Sequence, residues 1–256
     1  LSNPSNDSPL AYGVLTYGND QNEMPTELCL CDNEIFGILG AGISLGSYSQ
    51  DNLVSGNNIH DIVPIDLDGN LISIGIQAEL AGSLKIVDNK FENLAIASNM
   101  LLSQGSIGGD GFNTYQNVAS YLTTTSPSYF EFSDDVDWWL AQVSTSFNGI
   151  DLSLETYASS LELAISVADE GSIISTSMGE SISQDCAGIW GGNAAFETYY
   201  FDSDGDGLGF GAPNEYCDAF VPSGWVTNDD DLEADCATND TDECGVCSGD
   251  NSSCAD

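Results

Sequence analysis

The chain of 256 residues carries 41 Asp and Glu but only two Lys and no Arg, which gives a formal charge of −39 at pH 7. Hydrophobic residues make up 41% of it, enough for a packed core, so the chain is not an acidic disordered tail. Nucleic acids and anionic membrane surfaces are excluded as partners, because binding to phosphates depends on Lys and Arg. No apolar run reaches the roughly 18 residues of a membrane span, so membrane insertion is not expected.

The distribution of cysteines and acids predicts two parts with a boundary near residue 180. Six of the eight cysteines and 17 of the acids follow that boundary, and both lysines precede it. We expect a flexible or extended arm at 1–14, a β domain at 15–180 and a small, loop-rich Cys/Asp module with disulfides at 181–256. This use of cysteine favours an oxidising compartment and therefore an extracellular location, secreted or on the cell surface.

The N-terminal part is expected to be mainly β, because short β-branched runs alternate with Gly, Asn and Asp. The stretches "VSGNNIHDI" (54–62) and "IVDNKFENL" (86–94) share one pattern of apolar residues around an asparagine. The pattern resembles successive coils of a right-handed parallel β-helix, with Asn57 and Asn89 at equivalent turns and bonded along the stack. An antiparallel β-sandwich whose turns use Asn at similar places is the alternative, and both remain open.

One helix is predicted later in this part, at "SDDVDWWLAQV" (133–143). Ser133 is a suitable N-cap, and the aspartates that follow it suit the positive end of a helix dipole.

The stretch "YYFDSDGDGLGFG" (199–211) places Asp202, Asp204 and Asp206 at alternate positions. Carboxylates about 5 Å apart repel by roughly 3 kcal/mol per pair at an effective dielectric constant of about 20, and this chain has almost no cations to offset the repulsion. With Asp202 at position 1, the spacing matches the start of an EF-hand type calcium loop, including Gly207 at position 6. Position 12 is Pro213 instead of a bidentate Glu, so other oxygens must complete the site.

Further oxygen ligands are expected from the carbonyl of Leu208, from Glu215 or Asp218, or from the later run "NDDDLEAD" (228–235). An extended backbone would place the alternating acids of that run on one face: Asp229, Asp231, Glu233 and Asp235. Six to eight oxygen ligands suit Ca²⁺ better than Mg²⁺, and zinc is disfavoured because the chain has one His and its cysteines are expected to be bridged. The sequence therefore predicts calcium as the cofactor.

Residues 199–240, which continue through Cys217 and "PSGWVTNDDD" to Cys236, resemble the metal-binding repeat of secreted bacterial proteins, a relative of thrombospondin type 3 calcium repeats. The resemblance implies calcium at the three aspartates of the loop and a disulfide between Cys217 and Cys236. The chain departs from that repeat after Cys236, where "ATND" replaces a compact Asp-Cys-Asp-Asp.

Two short stretches, "DCAGIWGGNA" (185–194) and "DECGVCSGDNSSC" (242–254), resemble the Asp-Cys-x-Gly-Val-Cys-Gly-Gly units that accompany such repeats in bacterial surface proteins. In the first stretch, Trp190 occupies the place of the second cysteine. Cys244 and Cys247 form a CxxC pair, for which we expect structural disulfides, since the partners of a zinc site are missing.

These features predict a calcium-stabilised extracellular structural or adhesive protein, such as a subunit or fragment of a surface fibre. Its partners besides calcium would be a second copy of the chain or a cell-surface glycan. The alternative is a carbohydrate-active enzyme on a β-helix, similar to a polysaccharide lyase, that acts on acidic glycans. Only Lys85 and Lys90 could serve such an enzyme as a base, which argues against catalysis, and no catalytic residue is assigned.

Overall fold

The computed structural model describes residues 12–16, 27–46, 49–67, 69–125, 128–147, 150–169 and 171–254. The fold is mainly β, and the chain divides into two compact units, residues 1–182 and 183–256, close to the predicted boundary. Most of the predicted arm, residues 1–11, lies outside the described residues, and residues 12–14 belong to a strand. Within the described ranges, no helix combines the length and the apolar character that a membrane span requires.

The N-terminal unit is built from short strands. The first are β1 Tyr12–Thr16, β2 Cys29–Cys31, β3 Glu34–Phe36, β4 Ala41–Leu45, β5 Leu53–Ser55, β6 Asn58–His60, β7 Ile65–Leu67, β8 Asn70–Ile72, β9 Ile74–Glu79, β10 Leu84–Val87 and β11 Lys90–Leu101. They are followed by β12 Gln104–Gly108, β13 Thr114–Thr125, β14 Tyr129–Ser133, β15 Trp139–Phe147, β16 Ile150–Ala158, the helix α1 Leu161–Val167, β17 Ile173–Thr176 and β18 Ser181–Ser183.

The strands up to β14, apart from the antiparallel hairpin of β7 and β8, form coils that pass along three faces in turn. On the first face, β2, β5, β10, β12 and β14 pair in parallel in that order. The second face contains β3, β6 and the beginnings of β11 and β13, and the third contains β1, β4, β9 and the later parts of β11 and β13, again all in parallel. Parallel pairing between successive passes favours the parallel β-helix over the antiparallel sandwich for this part of the chain.

Beyond the coils the sheet becomes antiparallel. β13 pairs with β16, β16 with β15 and β15 with β17, and β18 follows at the edge of this sheet. The helix predicted at 133–143 is wrong, because β14 ends at Ser133 and β15 begins at Trp139. The side chain of Asp134 makes hydrogen bonds to the preceding coil, which a helix at this position would not allow.

The core consists of apolar side chains stacked at equivalent positions of successive coils. On the second face, Ile35, Ile59 and Phe91 are fully buried and follow one another in register, and Tyr115 is the fourth member. A Cβ at Gly75 would lie 2.9 Å from the Phe91 ring, so the glycine leaves room for this large side chain. Burial of each such side chain stabilises the fold by about 1.5–3 kcal/mol.

A buried ladder of amides runs along one corner of the coils, through Asn33, Asn57, Asn89, Asn113 and Asp134. Each backbone N–H donates to the Oδ1 of the next member, over 2.9 to 3.0 Å. The side-chain amide of Asn89 also donates to two backbone carbonyls, those of Val54 and Val87, each over 2.9 Å. The bond expected between Asn57 and Asn89 is therefore present, and it is one link of a longer chain.

The ladder ends at Asp134, which is 7% exposed. Its carboxylate accepts hydrogen bonds from Asn113 and from the hydroxyl of Tyr115, and it has no amide group with which to continue the ladder. Burial raises the pKa of Asp134, and the hydrogen bonds from Tyr115 and Asn113 lower it in part. Burial of Tyr115 itself, together with the charge of Asp134, raises the pKa of Tyr115.

The C-terminal unit contains a three-stranded antiparallel sheet with β19 at its centre. Its strands are β19 Phe196–Phe201, β20 Phe210–Cys217 and β21 Trp225–Val226, with a 3-10 helix at Asp218–Phe220. The ring of Trp225 contacts those of Phe201 and Tyr216 edge-on, with centroids 5.5 and 5.0 Å away. These aromatic contacts hold the two outer strands against β19.

Replacement of Asn89 by alanine is expected to destabilise the N-terminal unit by roughly 2–4 kcal/mol, because it leaves the amide of Asn57 and two buried carbonyls without partners. The free energy of unfolding in denaturant measures this loss. Asn70→Ala, in an exposed strand outside the ladder, is the matched control and should change stability by less than about 0.5 kcal/mol. Equal effects of the two substitutions would contradict a special role for the ladder.

The buried carboxyl of Asp134 predicts a pH dependence of stability. Its pKa is raised above the ordinary value of 3.8, so the folded state binds this proton more tightly than the unfolded state. The ionised form therefore costs stability above the raised pKa, and the cost disappears as the pH falls through that pKa towards 3.8. The free energy of unfolding is measured for the native protein and for Asp134→Asn at a series of pH values. As the pH falls through this window, the native protein should gain stability relative to the variant, whereas a constant difference between the two would contradict the assignment.

Candidate metal site

The acidic loop connects β19 to β20, so this calcium-type loop lies in a β-hairpin and not between two helices. The carboxylates of Asp202, Asp204 and Asp206 each offer an oxygen within 4.8 Å of the other two. Gly205 and Gly207 have φ of +85° and +90°, a conformation that a Cβ disfavours. Their N–H groups donate to Asp202 over 2.7 and 3.0 Å, and these bonds fold the loop around that carboxylate.

Two asparagines that the sequence analysis did not identify as site residues hold the loop in place. Asn228 donates to the carbonyl of Gly207 over 3.0 Å and accepts from the N–H of Gly209 over 3.1 Å. Asn239 donates to the second carboxylate oxygen of Asp206 over 2.6 Å. Each is an asparagine inside an acidic stretch. Its side-chain amide both donates and accepts hydrogen bonds, so it can join a carboxylate to the backbone, and this was the sequence signal that could have identified both residues.

Leu208 donates its N–H to Asp206 over 2.7 Å, which places it at the end of the loop. Its carbonyl as a metal ligand stays a prediction.

Among the acids of the later run, Asp231 is the one that turns inward. Its N–H donates to the carbonyl of Gly209 over 3.2 Å, so the run lies beside the loop, and its side chain is only 3% exposed. In the part of the chain that the structure describes, Oδ2 of Asp231 and Oδ2 of Asp204 are both buried and have no hydrogen-bond partner.

The expectation that the acids of this run share one face is wrong. Asp229 and Asp235 are exposed, whereas Asp231 is buried, and a role of the two exposed aspartates as metal ligands stays a prediction. The backbone is irregular here and turns at residues 234 and 235. The reason is a hydrogen bond within the run, in which Oδ1 of Asp231 accepts from the N–H of Glu233 over 2.8 Å.

The pKa of Asp204 responds to its neighbours in this cluster. Partial burial raises the pKa of Asp204, the charges of Asp206, Asp231 and Asp202 raise it further, and a hydrogen bond from the N–H of Asp206 lowers it in part. The effect of Asp231 shows that the later run lies close to the loop carboxylates. A bound cation would favour the ionised form of Asp204, so its affinity should fall as the pH is lowered towards the raised pKa.

A second group of potential ligands, Cys186, Cys217 and Asp218, also lies within 4.8 Å. Its two sulfurs form a disulfide and are not thiolates, so this group does not offer a zinc site.

The disulfides differ from the expected pairing. Cys217 pairs with Cys186, and Cys236 pairs with Cys247, so the predicted Cys217–Cys236 bond is wrong. The reason is the register of the hairpin, which places Cys217 opposite Phe196 and therefore near the stretch that precedes β19. The remaining bonds are Cys29–Cys31 and Cys244–Cys254.

All eight cysteines are therefore oxidised, including both members of the CxxC pair. Four disulfides indicate a compartment outside the reducing cytoplasm.

The two flanking stretches, 185–194 and 242–254, begin with the same loop, formed around Asp185 and Asp242. The first carboxylate oxygen of Asp185 accepts from the N–H groups of Ala187 and Ile189, and the second accepts from Ala194. Asp242 accepts in the same way from three backbone N–H groups at the same spacing: Cys244, Val246 and Asn251. These bonds, above all those from Ile189 and Val246, lower the pKa of the two aspartates.

No family model, curated protein or solved structure matches this chain. The resemblance of residues 199–240 to a calcium repeat therefore stays an expectation from their sequence. The function has to be argued from the geometry of the site.

Gly249→Ala should open the loop around Asp242, because a Cβ at this position would overlap the Oδ2 of that residue. We expect amide hydrogen exchange at Val246 and Asn251 to accelerate by about tenfold or more, as both lose the carboxylate that accepts their protons. Ser253→Ala, at a nearby exposed position, is the control and should leave the exchange unchanged. Unaltered exchange in Gly249→Ala would contradict this account of the loop.

Proposed function

We propose that this chain is a calcium-stabilised extracellular protein with a structural or adhesive role, as a subunit or fragment of a surface fibre. One observation carries the proposal: two carboxylate oxygens, on Asp204 and Asp231, are buried beside further carboxylates and have no hydrogen-bond partner among the described residues. A buried, unpaired carboxylate is costly, and the C-terminal unit has no Lys or Arg with which to pair it. A bound cation removes this cost.

Calcium fits the donor set better than other metals. The cluster offers only oxygens, from Asp202, Asp204, Asp206 and Asp231, and the Leu208 carbonyl and water would bring the number to the six to eight that Ca²⁺ takes. Carboxylates contributed by a loop and by a separate run suit a large cation with variable geometry, whereas Mg²⁺ demands a strict octahedron.

The structural role follows from what the metal would join. Asp204 belongs to the hairpin loop and Asp231 to the later run, so one cation would fix two segments that otherwise repel each other. The disulfides Cys186–Cys217 and Cys236–Cys247 close the chain on either side of this site. Disulfides together with a bound metal are the usual means by which small extracellular units compensate for a small core. Secretion, and a glycan or a second copy as the partner, belong to this proposal.

Catalysis on acidic glycans is the alternative function, and the parallel coils are the observation that favours it. Both lysines that could act on a uronate are already in ion pairs. Lys85 lies 2.7 Å from Asp110, and Lys90 lies 2.8 Å from Glu92. If the protein cleaves an acidic polysaccharide and Lys90→Ala abolishes this turnover, the enzyme is favoured. If no turnover is measured, the structural role has more support.

Thermal unfolding in calcium and in chelator tests the proposal. A free calcium concentration about 100 times the dissociation constant stabilises the folded state by about 2.7 kcal/mol, which corresponds to a rise in Tm on the order of 10 °C for a unit of this size. Asp204→Asn and Asp231→Asn should each abolish most of this rise, since each removes one of the unpartnered oxygens.

Asp229→Asn and Asp235→Asn are matched controls, because these aspartates belong to the same run but are exposed. They remove the same charge and should keep most of the response to calcium. Identical melting curves with calcium and with chelator would refute the metal site. Equal losses in all four variants would show a general effect of charge instead of a defined site.

A further inference from the structure

The coils of the N-terminal unit end unevenly. On the second face, strands follow one another in register from Glu34–Phe36 through Asn58–His60 and Lys90–Glu92 to Thr114–Gln116. β13 pairs with β11 along its length, but its pairing with β16 on the other side begins only at Ser120. Among the described residues, no strand pairs with 114–118 on that side, and the carbonyl of Ala119 accepts from the N–H of Ser159 over 2.9 Å.

A groove lies along this unpaired edge, with a volume of about 540 Å³. Its floor comes from the edge itself and from the coil before it, and its far wall from the end of β16 and from α1. The residues that line it are Asn93, Leu94, Tyr115, Asn117, Val118, Ala119, Tyr121, Ser159 and Leu163. None of them is an acid, although the chain carries a charge of −39.

The backbone in the groove is prepared for one more strand. At the equivalent corner of earlier coils, a backbone N–H donates to a carbonyl of the coil that follows. The N–H of Gly37 donates to the carbonyl of Asp61, and the N–H of Asp61 donates to the carbonyl of Glu92. Asn117 occupies this corner in β13, and no described coil follows it. An added strand would offer the N–H of Asn117 a carbonyl at this corner, as the following coil does for Gly37 and Asp61.

A side-chain ladder at the same corner supports this reading. Asn93 donates its side-chain amide to Asp61 over 2.8 Å, and Asn117 donates to Asn93 over 3.0 Å. Each oxygen accepts from the coil that follows. The oxygen of Asn117 is the last in this row, and an asparagine at the same position of an added strand would donate to it.

We propose that this groove, the strand slot, binds an extended segment of a basic partner protein as an additional parallel β-strand. The coils specify the sequence that fits: an apolar residue that packs on Tyr115 and Tyr121, then one residue, then an asparagine for the ladder. The partner is basic because the slot lies on a polyanion, where positive charge promotes association. A second copy of this chain is disfavoured for the same reason. Main-chain hydrogen bonds provide the affinity, and the pockets for alternate side chains provide the specificity.

A synthetic peptide with the order Gly-Lys-Val-Lys-Asn-Gly, blocked at both ends, is the probe. A peptide with Val and Asn interchanged has the same composition and charge and is its control. Thr114 donates its N–H towards the preceding coil, and successive amides of a strand alternate in direction, so the N–H of Tyr115 points into the slot. We expect the first peptide to slow amide exchange at Tyr115 and Asn117 by about tenfold, and the control peptide to have little effect.

Two variants of α1 locate the binding. Leu163→Arg places a long charged side chain in the slot and should abolish the protection, whereas Val167→Arg, at an exposed position of the same helix, should leave it intact. Tm is compared first, so that a loss through unfolding is recognised, and Ser159→Trp serves as a second blocking variant.

Equal protection by both peptides, protection at another edge such as β14, or association of the chain with itself would overturn the proposal. The peptide experiment repeated in chelator distinguishes this proposal from that of the calcium site, because the strand slot should bind the peptide with or without the metal.

Discussion

Mutual repulsion among carboxylates is the constraint on which the structure depends. The chain has 41 acids and two lysines, so ion pairs within the protein can offset very little of its charge. Each unit accommodates this in its own way. Within the described residues, the N-terminal unit buries a single acid, Asp134, and joins its coils through asparagine side chains. The C-terminal unit gathers carboxylates instead, in a group that could hold a cation from solution.

Several features of the fold could be predicted from the sequence. The mainly β character follows from short local patterns, the boundary near residue 180 from a change in composition along the chain, and the bond between Asn57 and Asn89 from a repeated pattern 32 residues apart. The helix at 133–143 was predicted wrongly from equally good local signals. Asp134 suits a helix terminus by type, but it is held by Asn113, 21 residues earlier, and no local rule reveals an acceptor so far along the chain.

The metal site shows the same division. The loop at Asp202, Asp204 and Asp206 could be identified from spacing alone, because consecutive carboxylates and glycines specify its conformation. Asp231 was expected together with Asp229 and Asp235, and the sequence could not distinguish them, since the distinction depends on where the run turns. Asn228 and Asn239 act across 21 and 33 residues, and the pairing of Cys217 depends on the register of the hairpin. Unlike Asn57 and Asn89, which a repeated pattern relates across 32 residues, these residues have no repeat that indicates their partners.

The ladder through Asn33, Asn57, Asn89 and Asn113 has a consequence for the environments that this protein can tolerate. Hydrogen bonds between neutral amides are hardly weakened by dissolved ions, whereas attraction and repulsion between charges are screened within about 10 Å at 0.1 M salt. A change from fresh to saline water would therefore leave the cohesion of the coils intact, while it relaxes the strain among the carboxylates of the other unit. The hydrogen bonds of the ladder are thus insensitive to salinity, whereas the repulsion among exposed carboxylates in either unit responds to it.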